Sequence, residues 1–264
     1  MSRAPSPEKA VLYVAGRGTR LGPEYADTHK VLLSIGGRSL LERHVDHLVS
    51  VGVRELVIVT GHDAAHVAAE ASRLTEGSTV TVRTVHNPDF QEGSVLSFLV
   101  SLPEIESARG AVLLMDGDVL YPTEMLQRLL ASRHPTVLLI DRSYSTDDDD
   151  PVLVPVVDGR PVDFRKRWTG TADVVGESIG FFRVAPADLT FLAERTRTRI
   201  AAGSREDSYD EVLRDLVVAG RFGHEDVTGL PWTEIDFPAD LERAERRVLP
   251  AITALPESSC KSSK

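Results

Sequence analysis

Residues 10–22 read AVLYVAGRGTRLG: an unbroken run from Ala10 to Ala15, then glycines at 16, 18 and 22 and arginines at 17 and 20. Side chains alternate sides along an extended chain, so a run apolar at successive positions is buried on both faces, as in a sheet covered by helices above and below. Ending that run in glycine lets the backbone come close to a ligand. Successive N–H groups in such a turn form a concave anion site, and Arg17 and Arg20 add charge to it. The stretch predicts a central strand that runs straight into an anion cradle.

The same alternation recurs outward from this point. Strands are predicted over 10–15, 55–60, 79–85, 111–115, 136–140, 152–157, 179–184 and 232–235. Helices are predicted over 64–74, 122–131, 186–199, 209–219 and 238–249. Another begins at Ser39, where Ser39 and Glu42 form a capping box ahead of Leu40, Leu41, Val45, Leu48 and Val49. Segments such as VLLM and VLLI carry no polar face, which points to one α/β domain with a doubly wound, mostly parallel, Rossmann-like sheet and helices on both faces. The domain is expected over 9–250, with disordered ends at 1–8 and 251–264. The acidic run Asp147–Asp150 reads as a solvated loop.

Composition narrows the function. With 264 residues and 42% apolar content, the chain is long enough for one sizeable core. A net charge of −10 argues against a nucleic-acid partner, so an anionic ligand must be met by local cations. The single cysteine, Cys260, excludes an internal disulfide and a thiolate metal cluster and fits a cytoplasmic location. No apolar run approaches the roughly 20 residues of a membrane span, and the start MSRAPSPEK lacks the apolar segment of a secretion signal. The pairs His44/His47 and His62/His66 lack the H-E-x-x-H pattern and read as surface residues.

In doubly wound sheets ligands bind outside the carboxyl ends of the strands, so the loop at 15–22 is the place to look for chemistry. A P-loop would close with Gly-Lys-Ser/Thr, whereas Thr19-Arg20-Leu21 stands here. A dinucleotide fingerprint would need glycine at 21 and an acid at the end of the second strand; Gly22 is one residue late and the acid is missing. An NAD(P)-dependent oxidoreductase is thereby disfavoured.

G-x-G-T-R-L after a strand, followed by HKVLLSIGG at 29–37, resembles the nucleotidyltransferase (NTP transferase) superfamily, whose members join an NTP to a phosphorylated acceptor. Further segments extend the resemblance over 10–249. LLMDGDVLY resembles the family's strand-end metal ligand, which implies Asp118 as a ligand of Mg²⁺; Asp116 reads as its neighbouring partner or as a polar strand end. WTEIDFPADL resembles the segment supplying a second carboxylate, Asp236, with the N-cap of the next helix as the alternative. VDGRPVDFRKRW resembles the place of a lysine over the phosphates, here Lys166. HNPDFQEGSVLSFL resembles the segment framing base and acceptor, with Asn87, Gly93, and Ser94 and Ser97, which face a ligand or cap the helix.

The resemblance implies catalytic roles for Arg20, Lys30 and Lys166, nucleotide contacts from Ala15, Gly16, Arg17, Gly18, Thr19, Asn87, Gly93 and Ser94, and acceptor contacts from Ser97, Arg165, Glu177 and Glu234. The look is nearest the phosphocholine, phosphonate and polyol-phosphate cytidylyltransferases. That implies CMP transfer from CTP to a small phosphate- or phosphonate-bearing acceptor with release of pyrophosphate, by a monomer or homodimer. A sugar-1-phosphate uridylyl- or guanylyltransferase and a non-catalytic nucleotide-sensing subunit are the alternatives.

Overall fold

In a computed structural model, residues 7–25, 27–144 and 151–256 are described; the Asp147–Asp150 run lies outside them. Strand β1 (Lys9–Val14) leads through a glycine loop and short turns to a two-strand ribbon, β2 (Ser34–Ile35) and β3 (Arg38–Ser39). Then come α1 (Leu40–Ser50), β4 (Glu55–Thr60), α2 (Ala64–Leu74), β5 (Thr81–His86), α3 (Val95–Glu106), β6 (Val112–Asp116), β7 (Val119–Leu120) and α4 (Thr123–Ala131). The second half holds β8 (Val137–Asp141), β9 (Leu153–Val157), β10 (Arg160–Pro161), β11 (Val174–Val184), α5 (Pro186–Ala201), α6 (Asp210–Val218), β12 (Gly223–Asp226), β13 (Thr233–Glu234), α7 (Pro238–Arg243) and α8 (Leu249–Thr253). The last helix runs past 250, where the tail was expected to begin.

The main sheet has the order β10-β9-β11-β6-β1-β4-β5, with β8 beside β11 and β12 beside β8. Strands β5, β4, β1 and β6 are mutually parallel, while β11 enters antiparallel to β6. Strand β1 therefore lies between its successor β4 and the later β6. Chain connections diverge to either side of it, which opens a crevice at its carboxyl end.

The sequence run of β1 is explained by two cores. Ala10 and Leu12, with Leu113 and Met115 of β6, pack against Leu41 and Leu48 of α1, Val67 of α2 and Leu129 of α4. Val11 and Leu114, one residue out of phase, pack on the opposite face against Phe98 of α3, Leu192 of α5 and Leu213 of α6. Burying each such side chain contributes about 1.5–3 kcal/mol, and burial on both faces holds β1 at the centre of the sheet. Helix α1 starts where its cap chemistry directs. Ser39 Oγ accepts the Glu42 N–H at 3.1 Å, but the Glu42 carboxylate turns to Arg38 at 2.9 Å, so only half of the capping box forms.

His44 corrects the surface reading of the histidines, for it is completely buried. Its Nε2 lies 3.1 Å from the Gly117 carbonyl, which can only accept, so Nε2 carries the proton and Nδ1 accepts from the Tyr121 hydroxyl at 3.2 Å. Burial depresses its pKa to about 3 and keeps the ring neutral. His47 is partly buried against Thr123, while His66 is exposed. Helix-face spacing alone does not reveal which face is inward.

Candidate functional site

Arg20 and Lys30 both ride on short turns pinned by a buried aliphatic neighbour. Gly18, at φ +63°, caps the turn Thr19–Leu21, and Leu21 anchors that turn in the core. A methyl group on Gly18 would stand 3.3 Å from Lys30 Cβ, so glycine is what lets the lysine stem lie along the loop. Lys30 opens a second turn, Lys30–Leu32, anchored by buried Val31.

The carboxylates reach the same place by a different device. Strand β7 pairs antiparallel with β13, Val119 opposite Glu234, and the Ile235 N–H donates to the Asp118 carbonyl at 2.9 Å. This two-residue ribbon sets Asp236 beside Asp118. Asp240 Oδ2 accepts the backbone N–H groups of Asp236 and Phe237 at 2.9 and 2.8 Å, so it is Asp240 that closes the start of α7. The Asp236 side chain is left to face the crevice rather than to cap.

The Lys30 ammonium stands between the two carboxylates, 2.7 Å from Asp118 Oδ2 and 2.8 Å from Asp236 Oδ1. The Arg20 guanidinium lies 2.9 Å from Asp236 Oδ2 and rests over the Phe237 ring. Burial works against the charged lysine, yet Asp118 and Asp236 outweigh it and raise its pKa above the ordinary value. Around this cluster is a cleft of about 270 Å³, lined by Gly16, Gly18, Thr19, Arg20, Lys30, Asp118 and Asp236 among others. Two hard oxygen donors from separate elements already converge on one small cation, the ammonium. That donor set suits a divalent cation which keeps most of its coordination for phosphate and water.

A second, smaller chamber of about 60 Å³ is lined by Asp116, Glu177, Tyr209, Asp210 and Glu234 among others. Gly180, at φ +74°, makes a bulge in β11, and a methyl there would stand 2.2 Å from Asp116 Oδ2. The Tyr209 hydroxyl donates to that same oxygen. Burial and the charge of Asp118 push the Asp116 carboxyl well above the usual range, and burial with the Asp118 and Asp116 charges does the same to Glu234. Burial also raises Asp210, against the pull of Ser208 and of Lys166 nearby.

The remaining residues singled out from the sequence have other surroundings. The Ala15 carbonyl accepts the His62 N–H at 3.0 Å, and Arg17 is exposed on the loop. Asn87 is buried; its amide donates to Ser97 Oγ at 3.1 Å and its oxygen accepts the Asp89 N–H, so these two side chains are turned to each other. Gly93 lies against the backbone of 205–207, 2.3 Å from the Asp207 carbonyl for an added methyl, and Ser94 accepts the Tyr209 N–H. Both thus brace the segment that carries Tyr209. Arg165 is paired with Asp163 at 2.8 Å. Sequence reasoning passed over Tyr209, Asp210 and His29, although His29 sits beside Lys30 in the motif itself.

A family model described as the MobA-like NTP transferase domain matches residues 10–225. The chain belongs to that family. Asp236 and α7 lie beyond the matched region. The chain is 30% identical, over 92% of its length, to the CMP-5'-(3-aminopropyl)phosphonate synthase of Streptomyces rubellomurinus, and it covers 39% of that protein. It is 31% identical, over 91% of its length, to the bifunctional IPC transferase and DIPP synthase of Rubrobacter xylanophilus, covering 52% of it. The chain thus spans about half or less of these curated relatives. Among solved structures, the inositol-1-phosphate CTP transferase from T. maritima shares the fold with a TM-score of 0.76 at 24% identity, covering 97% of this chain and 98% of that one. The CTP:phosphocholine cytidylyltransferase from Streptococcus pneumoniae gives 0.70 at 19% identity, covering 90% and 98%. Among the described residues no helix is long and apolar enough to cross a membrane.

Proposed function

We propose that this NTP transferase domain transfers CMP from CTP to an oxygen of a small phosphonate or phosphate. The acceptor oxygen forms a bond to the α-phosphorus in line, the bond to the bridging oxygen breaks, and pyrophosphate leaves with that electron pair. Two anions must meet, and their repulsion is the main obstacle; positioning and fixed positive charge are what a protein can contribute. The observation that carries the reading is the convergence of Arg20, Lys30, Asp118 and Asp236 at the mouth of the glycine loop. Backbone N–H groups of 16–19 and Arg20 would hold the leaving pyrophosphate, and Lys30 the phosphate oxygens next to the acceptor. Lys166, close enough to Asp210 to act on its charge, would serve the reacting phosphate from the opposite side. Asp118 and Asp236 would hold a divalent ion, Mg²⁺ in the cell, which when bound supplies neutralisation of the α-phosphate charge.

The acidic chamber supports an acceptor with a positively charged end. Asp116, Glu177, Asp210 and Glu234 crowd into it, and a cationic group there would relieve their mutual repulsion. The 3-aminopropyl phosphonate named for the Streptomyces relative has such an end. A cytoplasmic setting, where NTPs are held, suits the reading, and no cleft residue named above needs a partner chain. The test is pyrophosphate release with each of the four NTPs against 3-aminopropylphosphonate, phosphocholine, inositol 1-phosphate and glucose 1-phosphate. CTP with an amine-bearing acceptor should be at least 10-fold faster than any other pairing. Preference for UTP or GTP with the sugar phosphate would overturn it, and CTP binding without pyrophosphate release would make the chain a sensor.

A further inference from the structure

We propose that His29 is a positioning residue, the strut that fixes Lys30 relative to the glycine loop. The inference rests on the reading of Lys30 as a phosphate contact. His29 is only 2% exposed and lies in extended backbone, φ −61° and ψ 134°, as the N-cap of the turn that begins with Lys30. Its Nδ1 accepts the Val31 N–H at 3.1 Å, and its carbonyl accepts the Leu32 N–H at 2.8 Å. The turn carrying Lys30 is therefore closed by His29 twice, once by side chain and once by backbone.

An imidazole whose Nδ1 accepts must, when neutral, carry its proton on Nε2. That Nε2 is buried, has no well-formed hydrogen bond, and faces the carbonyl of Val14, the last residue of β1. The ring also stacks on His62, with centroids 6.1 Å apart at 25°, and His62 in turn sits 6.3 Å from the Phe90 ring. One imidazole thus spans three loops: its own turn, the end of β1 where the glycine loop begins, and the segment after β4. Burial lowers its pKa to about 4, so it stays neutral and keeps the Nδ1 acceptor at physiological pH. It carries no charge for the reaction and offers no proton at that pH; what it fixes is the distance between the loop and the ammonium beside it. No other described side chain accepts from the Val31 N–H.

The test compares His29→Leu, which keeps bulk without the acceptor, with His29→Asn, which keeps an acceptor for the Val31 N–H. The first readout is the rate at which an amine acylating reagent labels Lys30, followed by mass spectrometry. It needs no turnover, so it stays informative even if the proposed reaction is wrong. His29→Leu should label Lys30 at least 5-fold faster, while His29→Asn stays within 2-fold of the parent. In turnover, His29→Leu should lower kcat at least 10-fold with KM for CTP moving less than 3-fold. Against a Lys30→Met background it should change CTP affinity less than 2-fold. Unchanged labelling, or a kcat loss from His29→Leu as large in the Lys30→Met background as in the parent, would overturn the proposal. Should the leucine variant fail to fold by its melting profile, His29→Ala against His29→Asn carries the same comparison.

Discussion

Lys30 is the residue on which the site turns, because its ammonium lies between Asp118 and Asp236, the two carboxylates proposed to hold a divalent cation. Two carboxylates left facing each other repel, and their demand for a cation is met by the lysine, which in the proposed reaction phosphate oxygens would draw away. Replacing Lys30 by Met should therefore strengthen binding of Mn²⁺ to the nucleotide-free protein by at least 10-fold, read by electron paramagnetic resonance. Lys30→Arg, which keeps the charge, should give no such gain. Lys30→Met should also cost turnover at least 100-fold, since in the proposed reaction the phosphates would lose their partner. Equal Mn²⁺ affinity in parent and Lys30→Met would mean that the ammonium does not compete for the site. Asp118→Ala is expected to abolish pyrophosphate release while leaving the melting temperature within a few degrees, because its side chain faces the crevice and is partly exposed. Near-normal activity in that variant would remove it from the proposed cation site.

At the scale of elements, the bulge in β11 makes room for Asp116. An alanine at Gly180 would meet two costs: a left-handed φ, on the order of 1–2 kcal/mol, and collision with the Asp116 carboxylate. We expect Gly180→Ala to destabilise by about 3 kcal/mol in urea unfolding, and by about half of that when Asp116 is also Ala, because only the collision is relieved. Strictly additive losses would separate the bulge from the carboxylate. This bulge also shows what the sequence could tell. Strand 55–60, helix 64–74 and the start of α1 were legible because periodicity and capping are local. Strand β11 was legible only from 179, since its first half before the bulge reads as Gly and Glu rather than as an apolar run. Strand β12, GHED, carries no apolar alternation at all and is held beside β8 by backbone pairing. The single helix expected over 238–249 ends at Arg243, widens into a π turn over Ala244–Val248 and resumes, because Pro250 has no N–H to continue an α-helical ladder. For the site, the glycine loop, Arg20 and Lys30 stood together in the sequence, whereas the meeting of Asp118 with Asp236 depends on a ribbon of two residues per strand. Only the resemblance joined them, and the acidic chamber, assembled from four separate segments, had no local signature.

For the whole molecule, three buried histidines tie stability to pH. His29, His44 and His47 have pKa values lowered by burial to about 4, 3 and 4, against an ordinary value of 6.5. Between those limits the unfolded chain binds protons that the folded chain refuses, so folding stability rises with pH and is lost as pH falls from 6.5. The ceiling is about 1.4 kcal/mol for each pH unit and each histidine. Across two units the three together approach a loss on the order of several kcal/mol, a large part of the roughly 5–15 kcal/mol that holds a domain folded. Carboxylates held low by arginine, such as Asp163 beside Arg214 and Asp215 between Arg195 and Arg199, lose their contribution only below the ordinary carboxylate range. The interval from pH 6.5 to about 4.5 is therefore where the histidines act, while the raised carboxyls of Asp116, Glu234 and Asp210, which take up protons more readily in the folded chain, oppose part of that loss. The urea midpoint should fall across that interval, less steeply than the histidines alone would make it. His44→Gln supplies an amide N–H toward the Gly117 carbonyl and an oxygen toward the Tyr121 hydroxyl but has no proton to gain, so it should remove roughly a third of what these three histidines contribute to the slope. A slope unchanged in His44→Gln would show that His44 titrates alike in the folded and unfolded chain, and the neutral ring assigned to it behind Gly117 would have to be given up.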